Sequence, residues 1–242
     1  MKKSLVLLII GIIVFTSTGK SQGPNLDEVL SSYYNAIGIE KMKDWQTMTS
    51  TGKTVFGGQE YPFSTIVKRP GKIRVEAEVQ RMKMVQSFDG EKGWSIIPWT
   101  GSTEPQDMTA DQVKGMKNNA DLDGSLYHWK EKGHKAELLG KEDMEGSIVY
   151  KIKVARADGD VETYFIDADN YVILKMASTT KIQGNETESE IYFSNYKEIQ
   201  GVMMPTAITT KMKEQTVSQV IIDKVEINTP VNDSIFMKPI KK

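Results

Sequence analysis

The sequence predicts a mainly β chain of the α+β class: a strongly curved antiparallel sheet or incomplete β-barrel, covered by an N-terminal helix and a short central helix. Three observations predict it. From Thr47 onward apolar and polar residues alternate with period two, turn dipeptides punctuate the alternation, and only two stretches combine helical spacing with a capping box. Ten to twelve such strands in succession cannot lie flat, because large twisted sheets curl.

The chain opens with Met1-Lys2-Lys3, an apolar run from Leu5 to Phe15 and small or polar residues from Thr16 to Gln22. A basic start, a short apolar core and small residues near a cut read as a secretory signal peptide over residues 1–22, cleaved after Ser21 or Gln22. The run is shorter than the about 20 residues of a membrane span. Residues 23–242 read as a single domain, since no Pro/Gly/Ser-rich linker divides them.

The first helix follows the leader. Asn25 with Glu28 forms a capping box, Leu26, Val29, Leu30, Tyr33 and Ile37 recur at helical spacing, and Gly38 ends the run. Strands are then predicted at 47–56, 60–69, 72–80, 82–88 and 92–97, separated by Gly57-Gly58, Pro70-Gly71, Arg81 and Asp89-Gly90. In the third of these, Ile73, Val75, Ala77 and Val79 share one face and Arg74, Glu76 and Glu78 the other, as in a half-buried strand. Thr109 and Gln112 form a second capping box, Met108 and Val113 stand where a hydrophobic staple would, and Val113, Met116 and Ala120 make a narrow apolar stripe. That helix should cover a sheet. Strands resume at 136–144, 147–156, 161–167, 171–181, 187–197, 202–212 and 216–228, with turns at Asp158-Gly159, Asp169-Asn170, Gly184-Asn185 and Gly201. Asp233 to Phe236 reads as a capped turn with Phe236 tucked inward.

Composition narrows the function. The 31 basic and 32 acidic residues nearly balance. With Lys2, Lys3 and Lys20 in the leader, the remainder carries 28 against 32, a net charge of −4. Nucleic acid is not the expected partner, because that would need a basic footprint. The 242 residues contain no cysteine, so neither disulfides nor lipid attachment at a leader cysteine is available. The sequence predicts a non-lipidated, monomeric protein exported from the cytoplasm.

No catalytic residue or cofactor is predicted, and the reading is non-enzymatic: serine-nucleophile, dinucleotide and phosphate-loop motifs are all missing. No metal site is predicted either. His128 and His134 are the only histidines, fewer than the three or four converging ligands zinc takes, and Asp121-x-Asp123-Gly124 reads as a turn.

Two turns carry a family resemblance. Arg69-Pro70-Gly71-Lys72-Ile73-Arg74 leads into one strand, and Asp89-Gly90-Glu91-Lys92-Gly93-Trp94 opens another. The "R-P-x-x-x-R" and "D-G-x-x-x-W" pair resembles the LolA-like carriers of bacterial outer-membrane lipoprotein sorting. The order of elements follows that family too, through Tyr164-Phe165-Ile166-Asp167 and Gly201-Val202-Met203-Met204-Pro205. One departure is visible: the family's lid-clamping arginine has no counterpart on the first strand, where Lys53 is the only basic residue.

The resemblance implies a periplasmic carrier that holds the acyl chains of lipoproteins, or free lipid, and transfers them toward the outer membrane, with a membrane donor or acceptor protein as partner. The alternative is a periplasmic sensor that detects lipoproteins or lipids and signals to a membrane partner. Alternation supplies the candidate cavity wall: Met48, Phe56, Phe63, Val75, Met82, Met84 and Trp94, roofed by Val113 and Met116 of the central helix. Unbranched, polarizable methionine repacks around ligands of varied shape, and Trp45, Trp94 and Trp99 are candidates for the mouth.

Overall fold

The computed structural model describes residues 23–182 and 185–240; the leader and Gly184 of the predicted turn lie outside them. Helix α1 spans Leu26–Ile37 and α2 Ala110–Asn119. Both begin with the capping boxes predicted from Asn25/Glu28 and Thr109/Gln112, which satisfy otherwise orphaned N–H groups. The strands are β1 Thr47–Phe56, β2 Gln59–Lys68, β3 Lys72–Val79, β4 Met82–Phe88, β5 Gly93–Ile96, β6 Gln106–Asp107, β7 Lys135–Met144, β8 Ser147–Ala155, β9 Val161–Asp167, β10 Ile173–Ile182, β11 Asn185–Ile199, β12 Val202–Met212 and β13 Gln215–Ile227. Twelve match the predicted strands to within two residues at each end. The thirteenth, β6, is two exposed polar residues paired with Trp94 and Ser95, too short to leave a periodic signal.

All thirteen form one antiparallel sheet in the order β6-β5-β4-β3-β2-β1-β13-β12-β11-β10-β9-β8-β7. It is curved and unclosed. Each neighbouring pair is a hairpin or short connection except β1 with β13, which brings the two halves together across the chain. At that seam β1 bulges between Thr51 and Gly52. A Cβ on Gly52 would stand 2.0 Å from the Ile221 carbonyl oxygen, so only glycine lets the strands approach.

One face of the sheet carries both helices. Under α1, Tyr150, Ile152 and Val154 of β8 and Tyr164 and Ile166 of β9 meet Val29, Leu30, Tyr33 and Ile37. Under α2, Val67, Ile73 and Phe88 meet Met116 and Ala120. Met48 packs against both groups and joins them. Gly93 makes room for α2: a Cβ there would fall 2.7 Å from Met108 Sδ and 3.2 Å from Val113 Cγ2, the staple pair.

Helix α2 also ties the two ends of the sheet together. Lys114 Nζ reaches Asp160 at 2.6 Å, and Asn118 contacts Asp158 and Arg156 at the β8–β9 turn. Arg156 further bonds Ser125 and the buried Glu162, which also accepts from the Tyr164 hydroxyl. Past α2, the segment 121–134 is held by Arg69. Its guanidinium donates to both Asp123 carboxylate oxygens, at 2.7 and 2.6 Å, and to the carbonyls of Trp45 and Met42. Bidentate pairing of this kind holds a carboxylate in one geometry.

On the opposite face the chain's last turn lies strapped over β2–β5. Phe236 is fully buried, and its carbonyl accepts from Ser87 Oγ and Trp94 Nε1. Arg74 binds the Ile235 carbonyl and stacks over the Trp94 ring. Bonds from Lys68 and Lys72 hold the Asp233 carboxyl down to about 2.

Two outcomes follow. Phe236→Ala removes a fully buried ring and is expected to lower stability by about 3–5 kcal/mol in urea unfolding. Asp123→Asn should cost about 1–2 kcal/mol at pH 7. Bonding to Arg69 holds the Asp123 carboxyl below its ordinary range, so its contribution is present above the unfolded carboxylate value and fades as pH falls through the lowered folded one. Urea midpoints of wild type and variant should therefore converge on acidification below about pH 4.

Candidate functional site: an apolar cavity at the uncovered end of the sheet

Strand register arranges the helix-bearing face of β1–β4 in rows. Met48, Val67, Ile73 and Phe88 stand side by side in the first row, beneath α2. Ser50, Thr65, Val75 and Gln86 form the next, with Val75 its one apolar member. Phe63, Ala77 and Met84 follow, then Tyr61, Val79 and Met82 with Thr54. Beyond this mixed row the apolar character of the first row resumes, in Phe63, Ala77 and Met84 and then in Tyr61, Val79 and Met82. An α-helix is about 10 Å wide with its side chains, and rows two residues apart along a strand are about 6.8 Å apart. One helix lying on the first row can reach only the edge of the second, and Val75 is the residue it reaches.

The rows beyond α2 line a cavity of about 650 Å³. Its walls are Thr54, Phe56, Tyr61, Phe63, Thr65, Val75, Ala77, Val79, Gln80, Met82, Met84, Trp99 and Val220. None carries a charge. Phe56, Met82 and Trp99 are exposed, at 62%, 36% and 52%, and form the apolar part of the rim. Trp99 comes from a 3-10 turn, Pro98–Thr100, just after β5. Gln80 and Arg81, the β3–β4 turn, both have positive φ, as a tight hairpin of this twist requires.

Five of the residues predicted for the cavity wall meet here: Phe56, Phe63, Val75, Met82 and Met84. The other four stand elsewhere. Met48, Val113 and Met116 pack together in the sealed first row and its covering helix, so α2 closes the cavity's inner end and does not roof it. Trp94 is on the opposite face of the sheet, bonded to the Phe236 carbonyl. It pairs with Ser87, and counting alternation through β4 would have revealed its side. Val220 had no local signal, since it reaches the cavity only through the β1–β13 pairing with Thr54.

The chemistry of this site is apolar contact. No group of three or more metal-ligating side chains occurs among the described residues. The tyrosines displaced furthest are structural groups of the core: burial, with Glu162 beside it, pushes the Tyr164 hydroxyl far up, and burial raises Tyr33.

With this geometry in hand, known proteins supply comparisons. A family model described as "-like: Uncharacterized protein" matches residues 74–239, more than half of the chain. The chain belongs to this family. No curated protein matches the sequence. Among solved structures, a LolA superfamily protein from Nitrosomonas europaea aligns at TM-score 0.60 and 16% identity, covering 89% of this chain and 98% of that one. A DUF1329 family protein from Desulfovibrio piger aligns at 0.58 and 14%, covering 86% and 97%. A domain assigned to outer membrane lipoprotein sorting in Vibrio parahaemolyticus aligns at 0.56 and 11%, covering 86% and 95%. The fold is LolA-like.

In this LolA-like sheet the uncovered rows should behave as a preformed apolar cavity. The environment-sensitive dye ANS is expected to brighten with the folded protein, and Ala77→Trp, which fills the third row from within, should reduce that emission severalfold without lowering the urea midpoint.

Proposed function

We propose that the protein is a non-enzymatic, exported carrier that shields acyl chains of lipids or lipoproteins in the cavity beyond α2. The observation that carries this reading is the cavity itself: some 650 Å³ walled by uncharged, largely apolar side chains, with exposed aromatic residues at its rim. A protein that leaves such a surface open has a use for it, since large exposed apolar patches invite aggregation. Burying a methylene stabilises by about 0.8 kcal/mol, so ten or so acyl carbons against this wall suffice for micromolar affinity. The likeness to a LolA superfamily protein and to a lipoprotein-sorting domain supports the same reading. No helix among the described residues is long and apolar enough to cross a membrane. The place of action we propose is the periplasm, reached through the leader in residues 1–22.

Displacement of a fluorescent fatty acid tests it. Val75→Glu and Met84→Glu each put an unpaired carboxylate into the cavity, which is costly in apolar surroundings, and should weaken binding at least tenfold. Glu78→Gln, on the opposite face of β3, should leave affinity unchanged. Circular dichroism confirms that each variant is folded. Equal affinity in wild type and both glutamate variants would refute the assignment of this cavity.

A further inference from the structure

The cavity is small for the load that lipoprotein sorting implies, and its walls hold no charge. A methylene occupies about 27 Å³ in liquid hydrocarbon, close to a water's share of about 30 Å³, so 650 Å³ corresponds to about two dozen carbons. One chain of 16 to 18 carbons fits with slack. Two such chains exceed the space, and the three chains of a triacylated lipoprotein exceed it about twofold. The inner end offers no extension, because Met116 and Ala120 pack on Val67, Ile73 and Phe88 there.

The polar groups point the same way. The polar groups of the wall are Thr54, Tyr61, Thr65, Gln80 and the Trp99 indole N–H, all uncharged, and the Tyr61 hydroxyl already donates to Gln59 at 2.6 Å. No lysine or arginine lines the cavity to meet a carboxylate or phosphate. The nearest cation on β1, Lys53, is paired with Glu60 at 2.7 Å. A bound amphiphile must therefore leave its headgroup in water at the Phe56–Trp99 rim and draw its affinity from the chain alone.

We propose that the ligand is a single-chain amphiphile, a long-chain fatty acid or lysophospholipid, selected by chain length and not by headgroup. The inference rests on the carrier reading and sharpens it. Each methylene added to the chain should tighten binding about fourfold, the factor equivalent to its burial, through the chain lengths of about 12 to 18 carbons that the cavity holds with slack.

Titration calorimetry and native mass spectrometry of the delipidated protein test the inference. The ligands are laurate, myristate, palmitate, palmitoyl-lysophosphatidylcholine, dipalmitoylphosphatidylglycerol and a tripalmitoylated lipopeptide. Expected are one-to-one complexes with the single-chain ligands, affinity rising from laurate to palmitate, and palmitate and its zwitterionic lysolipid within threefold of each other. The two- and three-chain ligands should bind at least tenfold more weakly than palmitate. If either multi-chain ligand binds within tenfold of palmitate or more tightly, the single-chain inference is overturned while the carrier reading survives. A gap above threefold between palmitate and the lysolipid overturns headgroup indifference. No binding by any of the six overturns both readings together.

Discussion

The structure turns on a mismatch between sheet and cover. Period-two alternation in β1–β4 makes an uncharged, largely apolar face four rows deep, while α2 is a ten-residue helix that seals one row and touches a second. Where cover is present, Val67, Ile73 and Phe88 are buried like any core; where it stops, Phe63, Ala77 and Met84 line open space. Burial of the first row holds the helix in place, and absence of cover over the rest creates the site. The same residue chemistry does both, and only the helix's position separates stability from function.

That position is set by interactions of another kind. Gly93 leaves the space into which Met108 and Val113 fit, and the far side of α2 is secured by Lys114–Asp160 and Asn118 at the β8–β9 turn. These bonds bridge the ends of a sheet whose edge strands do not pair. Arg69 extends the bridge: by gripping Asp123 it fixes the segment after α2 against the turn that ends α1's half of the core. An arginine at the end of β2 thus ties down the segment beside the central helix, on a chain whose β1 offers only Lys53 as a cation. The tail strap on the other face works independently of this bridge, through Phe236 and its backbone bonds to Ser87 and Trp94.

Much of this architecture was legible in the residues because it is written locally. Capping boxes marked both helices, and alternation bounded by Gly, Pro and Asp-Gly turns marked twelve strands. Phe63, Val75, Met82 and Met84 could be assigned to one face by counting in twos, and they meet in the cavity. What could not be read depends on long-range geometry. The β1–β13 seam brings Val220 to Thr54 across more than 160 residues of chain, and no local pattern announces it. Met48, Val113 and Met116 have the same apolar character as the cavity residues, so composition could not tell a sealed row from an open one.

The central claim, that a ligand occupies the uncovered rows and not the packed ones, is most directly tested by methyl NMR of protein labelled at its methionines and titrated with palmitate. The account predicts that the Met82 and Met84 methyl resonances move with a one-to-one isotherm while those of Met48 and Met116 stay in place. Shifts centred on Met48 and Met116, with Met82 and Met84 unmoved, would contradict it.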